Sequence, residues 1–254
     1  MKVLRRVLVF VIVLAAVAGV AAWTCPADLA YRFFGGRVAP LTLRDLSGTV
    51  WQGRAAAAEL LGHNLGTLEW RLQPSAILHG EAIAQLALTG DGIVATGVVD
   101  RGADGSVSFR DVVVHMPART AAPVLAIPAL DLLGTIEIDV ARARLRGLWL
   151  EDASGTAYWR DAAVAGAAQA RLSDLQVTFA SAAGGAISGV VRDLGGPLQA
   201  EGTFTATLGR YDAQVRLAAR GDDPRVNEAL QYVGQPQADG SRQLLIEGHQ
   251  LGLF

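Results

Sequence analysis

Apolar and polar residues alternate with a period of two over much of the chain beyond its N-terminal segment. The alternation is clear in residues 67–72, 136–140, 203–208 and 213–217. Such runs predict half-buried strands, each with one apolar and one polar face. Short turn-forming stretches such as residues 90–92 separate the runs, so neighbouring strands should pair antiparallel. The sequence therefore predicts a mainly β protein built on a twisted, mostly antiparallel sheet.

Three short segments depart from this alternation and predict helices. Residues 26–34 indicate one or two helical turns that stop at a pair of glycines. Residues 123–134 indicate a short helix closed by its final glycine. In residues 223–234 an aspartate is suited to cap the helix, a proline takes the first position and a glycine provides a left-handed stop. The last two would be short closing helices on the sheet.

Residues 153–180 repeat residues 46–72 in weakened form, which predicts two units built on one scheme. Three strings recur in the same order: 47–51 with 154–159, 67–72 with 174–179, and 129–134 with 229–234. The units should span about residues 41–140 and 145–250, within one continuous sheet. Two equivalent strands are expected, with Leu68, Trp70 and Leu72 sharing a face in one, and Leu175, Val177 and Phe179 in the other.

The N-terminus has the pattern of a membrane anchor. Lys2, Arg5 and Arg6 precede an uncharged stretch over residues 7–27, which is long enough to cross a bilayer as a helix. The positive cluster should stay cytoplasmic. We therefore predict an inner-membrane anchor with a short cytoplasmic tail over residues 1–25 and a periplasmic β-rich domain over 26–254. A cleavable signal peptide is the alternative, because small residues of the kind found at cleavage sites occur toward the end of the apolar stretch.

Composition narrows the classes of partner. The formal net charge of the chain is −2, and three of its positive charges lie in the N-terminal segment. The rest of the chain is therefore more negative, and no basic face for nucleic acid is expected. Cys25 is the single cysteine, which excludes a disulfide within the chain. The exported part should therefore be held together by its core alone.

Motifs for chemistry are missing from the sequence. His63, His79, His115 and His249 are not spaced for zinc, and no cysteine or acidic cluster completes a set. Ser47 and Ser154 stand in Ser-Gly-Thr strings without a nearby base. We nominate no catalytic, cofactor-binding or metal-binding residue, and we expect no enzyme and no cofactor. Four tryptophans in the exported part could line a groove or fill the core: Trp51, Trp70, Trp149 and Trp159.

Two strings carry a family resemblance. Leu-Ser-Gly-Thr-Val-Trp-Gln-Gly at 46–53 and Leu-Gly-Thr-Leu-Glu-Trp-Arg-Leu-Gln-Pro at 65–74, together with the ending over 229–248, resemble protein N of the bacterial type II secretion system. Residues 24–27 and the middle of the chain depart from the pattern. The resemblance implies a non-catalytic accessory component without active-site residues. Its partners would be other secretion components at the inner membrane and in the periplasm, and membrane lipid through the N-terminal helix.

Two main functions follow, and they differ in what covers the apolar sheet face. A secretion component acting through protein contacts would close this face by packing or by added partner strands. The alternative is a lipid-binding or lipid-conducting module, because the strand-rich pattern also resembles the AsmA-like proteins and their open β-grooves. That face would then stay open as an apolar groove. Of these we favour protein contacts, and we expect the exported domain to carry no stoichiometric phospholipid. An envelope hydrolase is a third hypothesis.

Overall fold

The computed structural model describes residues 24–37, 41–60, 63–77, 80–102, 104–122, 129–147, 149–182, 186–207 and 210–248. The helices are α1 (Ala27–Phe34), α2 (Pro74–Ile77) and α3 (Pro224–Leu230), with 3-10 turns at Gly35–Arg37, Ala118–Ala121 and Arg220–Asp222. The strands are β1 (Leu41–Gly48), β2 (Gln52–Leu60), β3 (His63–Leu72), β4 (Ala82–Gly90), β5 (Ile93–Arg101), β6 (Ser106–Pro117), β7 (Leu130–Arg146), β8 (Trp149–Gly166), β9 (Ala170–Arg171), β10 (Leu175–Ser181), β11 (Ile187–Asp193), β12 (Leu198–Thr207), β13 (Arg210–Ala219), β14 (Gln235–Pro236) and β15 (Arg242–Gly248).

All these strands belong to one sheet, which confirms the mainly β prediction. The order follows the chain from β1 to β8, continues through β10 to β13, and ends with β15 and β14, while β9 pairs with β8. Every neighbouring pair is antiparallel, as in the 17- and 18-residue strands β7 and β8. Such a meander follows from the short turns, because a strand that reverses at a tight turn pairs with its predecessor.

The predicted sheet faces are present in β3 and β10. In β3, Leu68 is 8% exposed and packs in one cluster with Trp70, whereas Glu69 and Arg71 between and beyond them are exposed. In β10, exposed Thr178 separates two half-buried positions of the apolar face. Both patterns follow from the alternation of side chains across a strand.

The C-terminal half of the sheet curls strongly. Strands β7 and β15 are six steps apart in the strand order, which corresponds to about 29 Å in a flat sheet. Leu132 of β7 and Leu244 of β15 nevertheless belong to one apolar cluster. Bulges supply part of the bend: the β7–β8 register shifts between Leu133 and Thr135, and Asp161 opposite has a φ of 49°. This curl makes the shared apolar face concave.

Several glycines of the sheet lie under aromatic rings of the adjacent strand. Gly189 stands opposite Phe204 in the β11–β12 register, and a Cβ on Gly189 would lie 2.2 Å from the Phe204 ring. The same pairing occurs at Gly53 with Trp70, Gly155 with Phe179, and Gly248 with Tyr211. A ring laid across a glycine covers backbone that has no side chain, so each pair stabilises two neighbouring strands.

Helices α1 and α3 confirm two of the three helix predictions. Asp223 caps α3, since its Oδ1 accepts hydrogen bonds from the backbone N–H groups of Arg225 (2.9 Å) and Val226 (3.1 Å). The helix ends at Leu230, three residues earlier than predicted, and Gly234 has the expected left-handed φ of 59°.

The helix predicted over 123–134 is wrong in the part that the structure describes. Residues 123–128 lie outside the described residues, and Leu130 already begins strand β7. Buried Leu130 and Leu132 alternate with exposed Asp131 and Leu133, which is the period of a strand. Pairing with β8 decides the conformation here. The glycine expected to stop a helix, Gly134, instead stands opposite a bulge at residues 161–162 of β8.

This result removes one support of the predicted repeat. The string at 129–134 forms the turn and first residues of β7, whereas its match at 229–234 ends helix α3 and continues into a turn. The string at 47–51 forms the end of β1 and the following turn, where Gly48 has a φ of 87°. Its match at 154–159 lies inside β8. Shared residues therefore take different structures, and the two repeated units are not confirmed.

The predicted anchor over residues 1–25 lies almost wholly outside the described residues. Among the residues that the structure describes, no helix has the length and apolar character needed to cross a membrane. Helix α1, which follows the predicted anchor, has eight residues.

Candidate functional site

The concave face of the C-terminal half contains an apolar groove. This C-terminal groove has a volume of about 500 Å³. Strands β7, β8, β10–β13 and β15 and helix α3 form its walls, with side chains such as Leu132, Trp159, Val177, Phe204, Val215 and Leu244. A volume of this size is within the range of ligand-binding pockets in proteins.

Helix α3 closes one end of the C-terminal groove. Its Val226 is 1% exposed, and Ala229, Leu230 and Val233 on and just after the helix are buried in the same apolar cluster. The cluster also contains the strand residues at this end of the groove, including Leu198 and Leu217. Side chains therefore fill this end, and the groove is blind there.

Polar groups hold the closed end together just outside the apolar cluster. The Ser173 hydroxyl is buried, donates to the carbonyl oxygen of Leu198 (2.5 Å) and accepts from its N–H (3.1 Å). The carboxylate of Asp193, whose side chain is 8% exposed, accepts hydrogen bonds from Arg220 (2.7 Å) and from the N–H of Ala200 (3.0 Å). These contacts join β12 to the segments on either side of it.

The carboxyl of Asp193 has a shifted pKa. Partial burial acts to raise this pKa, but hydrogen bonds from Arg220, Ala200 and Gly195 and the charge of Arg220 outweigh it and lower the pKa below 3.8. Asp193 therefore stays charged at neutral pH and keeps the closed end fixed.

At its other end, the described lining of the C-terminal groove finishes at Phe204, Tyr211 and Ile246. These residues are neighbours in the sheet, because Phe204 and Ile246 both stand opposite Ala213. The small Ala213 side chain between two large ones leaves space at this end.

A second cavity of about 420 Å³ lies against the N-terminal half of the sheet. Its lining is mixed, with Glu69, Arg71, Gln85 and Asp111 among the apolar residues. Trp70 borders this cavity, and its Nε1 donates a hydrogen bond to the carbonyl oxygen of Val50 (3.1 Å). This cavity is therefore more polar than the C-terminal groove.

The tryptophans considered from the sequence have separate places. Trp70 borders the N-terminal cavity and Trp159 lines the C-terminal groove, with its Nε1 donating to the carbonyl oxygen of Leu133 (2.8 Å). Trp51 stands in the turn between β1 and β2. The side chain of Trp149 lies outside the described residues. Trp70 and Trp159 thus border different cavities, and the four tryptophans do not line one groove.

Ser47, Ser154 and His115, the candidates for chemistry whose side chains the structure describes, are not brought together. Ser47 lies in β1 and Ser154 in β8, far apart in the strand order. The nearest acidic partner of His115 is Glu137, at 3.9 Å on the convex face. Within the described residues, no group of three or more His, Cys, Asp or Glu residues is placed to hold a metal ion. His79, His249 and the side chain of His63 lie outside the described residues.

Comparison with known proteins decides the family. A family model described as "Type II secretion system (T2SS), protein N" matches residues 39–244. The chain belongs to the protein N family of the type II secretion system. It is also 28% identical over 215 residues to the type II secretion system protein N of Vibrio cholerae serotype O1 (strain ATCC 39315 / El Tor Inaba N16961). That match covers 79% of this chain and 81% of the relative.

The family match confirms the resemblance drawn from residues 46–53 and 65–74. Membership in the protein N family makes the chain a component of the type II secretion machinery. No solved structure gives a significant match to the chain.

Proposed function

We propose that this chain is a non-enzymatic accessory component of type II secretion that supports the export of folded periplasmic proteins through protein contacts. In this proposal residues 1–25 anchor it in the inner membrane, and the sheet stands in the periplasm. The family membership supports the role in secretion. The observation that carries the contact mechanism is an edge of the sheet that the described residues leave uncovered.

This uncovered edge is the outer side of strand β15. The two-residue strand β14 pairs with β15 only at Arg242 and Gln243. Among the described residues, no strand pairs with the outer side of residues 245–248. Leu245 on this stretch is 44% exposed on the convex face. Backbone N–H and C=O groups along such an edge are free to pair with an extended segment of another chain.

The opposite edge of the sheet is partly covered. Along β1, the N–H of Leu43 donates to the hydroxyl of Tyr31 on α1 (3.0 Å). Just beyond this strand, Thr49 forms a β-bridge with Pro26, and the N–H of Val50 donates to the carbonyl oxygen of Cys25 (3.1 Å). The segment around α1 thus occupies positions that an added strand would need, so we assign the contact to β15.

Photo-crosslinking in membranes tests this assignment. A photoreactive amino acid is placed at position 245, and a matched control is placed at Val190, which is 54% exposed on the convex face of the internal strand β11. With the whole secretion machinery present, we expect position 245 to crosslink to another secretion component and position 190 to give little product. Equal crosslinking at the two positions, or no product at 245, would contradict a contact through β15.

A further inference from the structure

We propose that the C-terminal groove binds a single acyl chain of a lipid, with the chain end against helix α3. This goes beyond the proposed role in secretion and does not depend on the β15 contact. It replaces the expectation that the apolar face is fully covered, since a cavity of about 500 Å³ is left on that face within the described residues.

The chemistry of the walls favours a hydrocarbon ligand. The lining consists almost entirely of aliphatic and aromatic side chains, and two of its polar groups, on Trp159 and Tyr158, are hydrogen-bonded within the protein. The indole N–H of Trp159 donates a hydrogen bond to the carbonyl oxygen of Leu133 (2.8 Å). The hydroxyl of Tyr158 accepts a hydrogen bond from the side-chain amide of Gln176 (2.9 Å). Small polar ligands need a few convergent polar groups in their pocket, and this lining does not present them.

An extended protein segment fits the groove poorly. It would bring backbone N–H and C=O groups that the hydrocarbon side chains of the lining cannot satisfy, which costs several kcal/mol for each buried group. A flexible acyl chain has no such groups.

The length of the groove also matches one chain. Along β13 the lining runs from Leu217 at the closed end to Tyr211, a distance of about 20 Å at the usual rise of a strand. The hydrocarbon core of a bilayer is about 30 Å thick, so the acyl chains of one leaflet reach about 15 Å. One chain can therefore lie along the groove with its first carbons near Phe204 and Tyr211.

The closed end separates binding from conduction. A channel that passes lipids along the sheet must be open at both ends, whereas Val226, Leu230 and Val233 fill the end at α3. The structure assigns the groove to holding one chain, not to passing a stream of lipids.

The test uses the full chain in its own membranes and a photoreactive fatty acid. Cells are grown with a sixteen-carbon fatty acid that carries a diazirine at its last carbons, and crosslinked residues are mapped by mass spectrometry. We expect adducts at the closed end, around Leu198, Leu217 and Leu230. A diazirine placed near the carboxyl end should move the adducts toward Phe204 and Ile246. The mass of the adduct distinguishes a free fatty acid from a phospholipid.

Two neighbouring substitutions control the test. Ala213→Trp fills the groove, whereas Gln214→Trp puts the same side chain on the opposite face of β13. Displacing two methylene groups from an apolar site weakens binding about tenfold or more, so Ala213→Trp should lose at least that much adduct and Gln214→Trp should not. If Ala213→Trp does not fold, Ala213→Leu should shift the preferred acid toward shorter chains.

Several results would overturn the assignment. The first is that adducts are confined to residues 1–25. The second is that Ala213→Trp and Gln214→Trp are labelled equally. The third is that the labelled residues stay the same when the diazirine is moved along the fatty acid. None of these outcomes bears on crosslinking from position 245, so the two proposals can fail separately.

Discussion

The contact between Gly189 and the ring of Phe204 offers a sharp test of the sheet geometry. A methyl group at position 189 would lie 2.2 Å from Cε1 of Phe204 and 2.6 Å from the carbonyl oxygen of Thr178. Both distances are far below van der Waals contact. The ring can rotate away, but the Thr178 oxygen belongs to the backbone of the adjacent strand. Gly189→Ala must therefore move a strand or leave the ring out of place.

The expected cost follows from these contacts. Overpacking of this kind destabilises a protein by about 1–3 kcal/mol. Without the ring and the carbonyl, the same substitution would stabilise the chain by about 0.4–1 kcal/mol, because alanine reduces the entropy of the unfolded state. The geometry thus decides the sign of the effect. In a domain of this size, the predicted loss lowers the melting temperature by roughly 2–12 °C.

Thermal unfolding followed by circular dichroism measures this effect. Ser188→Ala is the matched control, because Ser188 is the preceding residue on the exposed face of β11. We expect the control to melt within a degree or two of the unmodified chain. If Gly189→Ala melts at the same or a higher temperature, the ring does not lie over Gly189 and the described β11–β12 register is wrong.

Two further substitutions test the closed end of the C-terminal groove. Asp193→Asn should lower the free energy of unfolding by about 1.5–3 kcal/mol at pH 7, since it weakens charged hydrogen bonds. Folding lowers the pKa of Asp193 from 3.8, so the contribution of Asp193 is complete above the unfolded pKa and is lost as the pH falls through the folded pKa. Urea unfolding should therefore show the difference from the unmodified chain shrinking as the pH falls below about 4, and a constant difference would refute this explanation. Asp223→Ala removes the cap of α3 and should cost about 1 kcal/mol. Asp223→Ser should restore most of that loss, and equal losses in the two variants would argue against the cap.

The local patterns of the sequence predicted much of this fold. Alternation in 67–72 and 175–179 identified strands β3 and β10 and their apolar faces. Successive side chains of a strand point to opposite faces, so a few neighbouring residues are enough to reveal the pattern. The Asp-Pro start and glycine stop identified α3 in the same way. These signals act within a few residues, so no knowledge of distant contacts was needed.

Non-local features could not be obtained in this way. Residues 129–134 contain an apolar run and a glycine that suit a helix end, and only pairing with β8 makes them a strand. The C-terminal groove depends on a curl that brings Leu132 near Leu244, more than a hundred residues away in the chain. Alternation in other strands predicted an apolar sheet face, but Leu132 fell in the segment predicted as a helix and no face was predicted for Leu244. The sequence did not show that the face would fold over on itself and leave a cavity.

Secretion by living cells tests the central claim, that this chain serves type II secretion through contacts at the β15 edge. A strain that lacks the chain is supplied with Leu245→Arg or with the control Val190→Arg, since a charge on an edge strand opposes strand addition. The amount of a secreted protein in the medium is measured at equal levels of the two variants. We predict that Val190→Arg restores secretion and Leu245→Arg does not. Full secretion with Leu245→Arg would contradict the claim.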